Sequence, residues 1–134
     1  MRSGKIEGTE YTFGAINLPE DWSFPKSRLT FQLVDPKTVF GEKHLLVSIY
    51  THLKGFRLAK DRNMNLLLRI SGFKQIKEAI KFKPKRKAVL VVVGKNAKKE
   101  YKKLIVLLGA KESGKITARK NELDAIERTA LVGI

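Results

Sequence analysis

The chain predicts a single α+β domain of mixed α/β element order, residues 1–134, with one central sheet flanked by helices. Three observations carry that expectation. Ala88-Val89-Leu90-Val91-Val92-Val93 is an unbroken apolar, mostly β-branched run, the composition of a strand covered on both faces. Leu29, Phe31 and Leu33 alternate with polar neighbours at period two, and Leu45, Ile49, Leu53 and Phe56 recur at helical spacing. With 134 residues, 43% of them hydrophobic, the chain is long enough to bury a core of its own.

In chain order, Thr12-Phe13-Gly14-Ala15-Ile16 and Arg28 to Val34 read as strands. The segment between them, Leu18 to Pro25, holds two prolines and reads as a connection whose single tryptophan, Trp22, is a packing anchor. Asp35-Pro36 marks a turn, and one long amphipathic helix is expected from about Gly41 to Lys60. Residues 63–82 continue helically, with Ser71-Gly72 breaking the run in two because glycine is unfavourable within a helix. Lys83-Pro84-Lys85-Arg86-Lys87 is a basic turn leading into the valine strand. Asn96 is placed to cap a helix with Ala97, Tyr101, Leu104, Ile105 and Leu108 on one face, ended by Gly109. A short strand is expected at Ile116-Thr117-Ala118, then a last helix opened by Asn121 with an apolar stripe of Leu123, Ile126 and Ala130.

The net charge of +15 calls for a polyanionic partner, and its distribution sharpens the point. Residues 1–40 balance to zero, whereas residues 41–120 carry +17. A lysine-rich surface without cysteine also suits heat tolerance, but that does not account for the imbalance. The absence of cysteine excludes disulfides, thiolate metal sites and cysteine nucleophiles. The apolar runs are far below membrane-spanning length and the N-terminus has no apolar leader segment, so a soluble, cytoplasmic protein is expected.

No catalytic residues, cofactor or metal are expected. Gly109-Ala110-Lys111-Glu112-Ser113-Gly114-Lys115 satisfies G-x-x-x-x-G-K, but Ile116 stands where a P-loop needs Ser or Thr for Mg²⁺. The motif also follows a helix, where a P-loop follows a strand. His44 and His52 are eight residues apart, not the i, i+4 spacing of a zinc pair, and Ser48 with His52 lacks an orienting acid. A small nucleotide-binding enzyme built on residues 109–115 is therefore the least favoured alternative.

Binding is favoured over chemistry. Lys83, Lys85, Arg86 and Lys87 form the best candidate RNA surface, next to Lys74 and Gln75, which suit recognition of a single-stranded end by charge and base edge. Lys98, Lys99, Lys102 and Lys103 make a cationic helix stripe that reads equally well as a phosphate contact or a solvated face.

The stretch Leu66-Leu67-Leu68-Arg69-Ile70-Ser71-Gly72-Phe73-Lys74-Gln75-Ile76-Lys77-Glu78-Ala79-Ile80 resembles the signature of the small tRNA-recruiting subunit of the KEOPS complex, relatives of the human PRPK-binding protein. The resemblance extends to Asp35-Pro36, Gly41 and His44, the valine strand and the terminal helix with Ile126, Glu127, Arg128, Ala130 and Leu131, and so covers about residues 35–134. It departs from the family at Lys74, where an arginine is common, at Asn65, near which the family has an acidic residue, and at Lys83-Pro84, where a Gly-Ile is common. The resemblance implies a non-catalytic subunit that docks on a kinase-like subunit and captures the 3′ CCA end of tRNA for threonylcarbamoyladenosine formation. It also implies Arg69, Lys74 and Gln75 as RNA-facing residues. Leu123, Ile126 and Leu131 are the candidates for the protein partner, if helix packing leaves them exposed. The alternative is a pure protein-interaction module that activates such a partner.

Overall fold

A computed structural model describes residues 1–55, 57–72, 83–116 and 118–131. Its sheet follows from one strand. In β4 (Lys87–Val93), residues 88–93 are all buried, and the strand lies between β2 (Thr9–Asn17) and β3 (Thr30–Val34), antiparallel to both. Phe13 lies opposite Val91, and Val92 opposite Phe31, so the two periodicities put matching apolar faces on each side. The unbroken valine run thus marks the central strand, as expected.

Two further strands complete the sheet. β1 (Arg2–Ile6) pairs with the first half of β2, joined by a two-residue turn in which Glu7 and Gly8 both take positive φ. β5 (Lys111–Glu112) pairs with the other end of β2, opposite Ile16 and Asn17. The basic loop therefore contributes its strand earlier than expected, at Lys111–Glu112. Among the described residues Ile116 and Ala118 lie in no strand, because the loop reaches the sheet edge as soon as the preceding helix ends.

Helices cover both faces. On one, Tyr11, Phe13, Val89, Val91 and Val93 pack with α1 (Glu42–Lys54), α2 (Arg62–Ser71) and Val39. On the other, Ile16, Phe31, Leu33, Leu90 and Val92 pack with Ala97, Tyr101, Leu104 and Leu108 of α3 (Ala97–Leu108). Fully burying side chains of this kind contributes about 1.5–3 kcal/mol each. α3 matches its expected stripe, with Lys98, Lys99, Lys102 and Lys103 exposed opposite. Gly14 of β2 faces α3 where the Tyr101 hydroxyl approaches, a space a methyl group would fill.

The ends of the helices show which local signals won. α1 stops at Lys54, six residues short of the expected Lys60, where Gly55 takes an extended conformation. Its N-terminus is capped from a distance: the Glu122 carboxylate of α4 (Glu122–Leu131) accepts the His44 backbone N–H at 3.2 Å. That carboxylate occupies the space a Gly41 side chain would need, and Gly41 adopts φ 150°. α2 is capped by Asp61, which accepts the Asn63 and Met64 N–H groups, and ends at Gly72 in the left-handed region, where the break is expected; the second helix expected beyond it lies outside the described residues. Asn96 precedes α3 in a left-handed conformation without a side-chain cap; its own N–H donates to the Glu10 carboxylate instead. Gly109, also left-handed, ends α3 as expected.

α4 departs most from expectation. Its stripe against α1 is Ala125 and Thr129, with Thr129 hydrogen-bonded to the buried His44 ring, because small side chains let the two helices approach closely. Leu123 is left 67% exposed. At the outer edge of the sheet, the Asn63 side-chain oxygen accepts the Phe31 N–H and the Asn63 carbonyl accepts the Gln32 amide, both at 2.9 Å.

Candidate nucleic-acid interface

The basic turn is built as a fixed platform. Lys83, Lys85, Arg86 and Lys87 are exposed around a buried Pro84. Three hydrogen bonds tie the turn to the connection after β2: Leu18 N–H donates to the Arg86 carbonyl at 2.6 Å, Arg86 Nε to the Leu18 carbonyl at 3.1 Å, and Trp22 Nε1 to the Lys85 carbonyl at 2.8 Å. Four cations thus project from a backbone whose conformation is set before any partner arrives.

Aromatic rings border those cations. Trp22 and Phe24 meet edge to face at 5.0 Å, and the Lys83 ammonium lies 5.2 Å and 5.5 Å from their ring centroids. Trp22 is a packing anchor, as expected: half-buried, it packs against the core on the α3 side of the sheet and also holds the turn, and Phe24 beside it is 48% exposed. The signal was present in the sequence only as two aromatics in a proline-bounded loop, which gives no hint that the loop crosses to residues 83–87.

The other expected RNA-facing positions fall differently. Arg69 is 3% exposed within α2, and burial lowers its pKa, so it is not on the accessible surface. Leu66, Leu67, Leu68 and Ile70 around it are buried too, because α2 lies between the sheet and neighbouring helices and is covered on almost every side. Lys74 and Gln75 lie outside the described residues. Of the partner-binding candidates, Leu123 is exposed, Ile126 is half-buried, and the Leu131 side chain lies outside the described set.

The histidines differ from one another. His44 Nδ1 accepts the Phe40 N–H and its Nε2 meets Thr129 Oγ1 at 3.2 Å, an internal role between α1 and α4. His52 accepts at Nδ1 from the Asn65 amide at 2.8 Å, while the other end of that amide accepts the Leu58 N–H. Burial, and then the charges of Arg69, Arg57 and Arg62, push the His52 pKa down to about 4.

Residues 109–115 do not have P-loop geometry. Gly109 terminates α3, Lys111 and Glu112 enter the sheet, and Gly114 lies in an exposed loop with no helix directly after it. Among the described residues no group of three or more His, Asp and Glu side chains is arranged to hold a metal ion, and no helix is long and apolar enough to cross a membrane. No family model and no curated protein matches the chain.

Proposed function

We propose that the chain is a non-catalytic accessory subunit of a KEOPS-type assembly, working in the cytoplasm. It binds the single-stranded 3′ CCA end of tRNA and docks on a kinase-like subunit, in support of threonylcarbamoyladenosine formation. The observation that carries the RNA half is the turn at residues 83–87, where four exposed cations stand on a hydrogen-bonded backbone beside Trp22 and Phe24. Cations carried on a hydrogen-bonded backbone attract phosphates, and the exposed Phe24 ring beside them suits an unpaired base. The KEOPS assignment itself rests on the resemblance of residues 66–80 and their surroundings; the left-handed Gly72, which ends α2 inside that signature, is consistent with it. Lys74 and Gln75 are the proposed contacts to the RNA end.

Fluorescence anisotropy with intact tRNA and with tRNA lacking CCA tests this reading across a salt series. Intact tRNA should bind more tightly, and Lys85→Glu with Arg86→Glu should lower affinity and flatten the salt dependence by roughly 0.7 in log–log slope for each phosphate that is no longer neutralised. Equal affinities for the two RNAs would remove end recognition from the proposal.

A further inference from the structure

A second cationic feature lies at the other end of the sheet, in a cleft of about 330 Å³ between the end of α1, the start of α2 and the Val93-Gly94 end of β4. Thr9, Thr30, His52, Arg57, Arg62 and Asn65 supply its polar lining. Arg57 and Arg62 are exposed at its rim and, among the described residues, enter no ion pair. The carboxylates on the bordering segments are engaged elsewhere: Asp61 caps α2, Glu10 accepts the Asn96 N–H, Glu7 pairs with Lys54 and Glu42 with Arg2. α2, β3 and β4 contain no acidic residue at all.

The neutral edge of the cleft is just as specific. Because His52 Nδ1 accepts from Asn65, and the Asn65 amide is oriented by Leu58, the neutral imidazole carries its proton on Nε2 and is a donor there. Two guanidiniums, an imidazole N–H and two threonine hydroxyls form a set of donors that matches the oxygens of a phosphate group. Leu53, Val93 and Gly94 supply apolar wall beyond them, and the volume exceeds what a bare phosphate fills.

We propose that this cleft binds a phosphomonoester, its phosphate held by Arg57, Arg62 and His52 Nε2 and the group that carries it lying against Leu53 and Val93. The site is separate from the basic turn at residues 83–87, which stands at the opposite end of β4, and it stands whether or not the RNA reading does.

His52 reports on its own occupancy. The charged groups facing it are Arg57 and Arg62 from the cleft rim and Arg69 from α2, all cationic, so a bound phosphate, anionic throughout the pH range over which His52 titrates, offsets the repulsion that now disfavours its protonation. The test is NMR titration of the His52 ring against pH, alone and with inorganic phosphate or AMP as probes. Either probe should raise the His52 pKa above about 4. Arg57→Gln and Arg62→Gln, both exposed and expected to fold, should each weaken binding about tenfold, as expected when a charge-assisted hydrogen bond is removed. Lys85→Glu should leave the response unchanged. AMP should bind more tightly than phosphate, and equal or weaker binding of AMP would overturn the monoester and the place given to its carrier group. A His52 titration that neither probe moves, or binding indifferent to both arginine substitutions, would overturn the site.

Discussion

At the scale of single residues, His52 shows how position overrides type. Its pKa is held at about 4 against an ordinary 6.5, first by burial and then by three arginines. The unfolded chain therefore binds a proton between those two pH values that the folded chain refuses, so stability is complete above pH 6.5 and declines as the pH falls toward 4. The expected loss is up to about 3 kcal/mol, from roughly 1.4 kcal/mol per pKa unit. Urea unfolding midpoints measured between pH 7 and 5 should fall more steeply for the native chain than for His52→Gln, and parallel curves would show that the ring is not the source. The sequence placed His52 on a helix with His44 and excluded zinc from their spacing, but gave no sign of the cleft. Its walls come from the starts of β2 and β3, the end of α1, the loop after it, α2 and the β4 end, and no local pattern records that convergence. Arg69, which the resemblance implies as RNA-facing, is 3% exposed for a related reason: the packing of α2 against β3, α1 and α4 is not recorded in the three leucines that precede it.

At the scale of elements, period and breakers carried most of the information. The stripe of α3 is legible because its buried and exposed positions differ in chemistry, and the valine run because a strand covered on both faces needs no polar position; the alternation in β3 marks the strand although Gln32 is as buried as Phe31 and Leu33. β1 is not legible, since Arg2-Ser3-Gly4-Lys5-Ile6 has no apolar alternation; it is held by backbone pairing and the Glu7-Gly8 turn. α4 misled because its stripe against α1 is Ala125 and Thr129, small residues suited to close approach and not marked by hydrophobicity. Gly72 was read correctly because its conformation decides its identity. It adopts φ 75°, accessible to glycine at little cost, so Gly72→Ala should destabilise the protein by about 1 kcal/mol. Chemical denaturation would register that as a lower midpoint at constant slope; an unchanged midpoint would mean that α2 ends another way in solution.

At the scale of the whole molecule, the charge imbalance resolves into separate regions. The turn at 83–87 and the rim at Arg57 and Arg62 lie at opposite ends of β4, about 20 Å apart for seven residues at roughly 3.3 Å each. The α3 lysines are on the helix that covers the opposite face from α1, α2 and α4. Among the described residues, the sites proposed for RNA, for a phosphomonoester and for a protein partner therefore do not overlap. Of the three residues proposed for a protein partner, Leu123 on α4 is the one the described residues show exposed, at 67%. Leu123→Asp should abolish co-elution with a purified kinase-like KEOPS subunit while leaving the melting temperature of the isolated chain within a few degrees of native, as for surface substitutions generally. Undiminished co-elution would move the interface off this helix.

One pair of hydrogen bonds bears on how the molecule behaves in a crowd of its own copies. The free edge of β3 is the natural point for another extended chain to add itself to the sheet, and its residues are mostly buried and apolar. Asn63 stands across that edge, taking up the Phe31 N–H with its side chain and the Gln32 amide with its carbonyl. Strand addition would have to displace the Asn63 side chain from the Phe31 N–H and, from the Leu33 N–H, the Gln32 side chain that the Asn63 carbonyl holds. A polar residue at a helix start thus guards the protein against edge-to-edge aggregation, a hazard that heat and high concentration would otherwise aggravate.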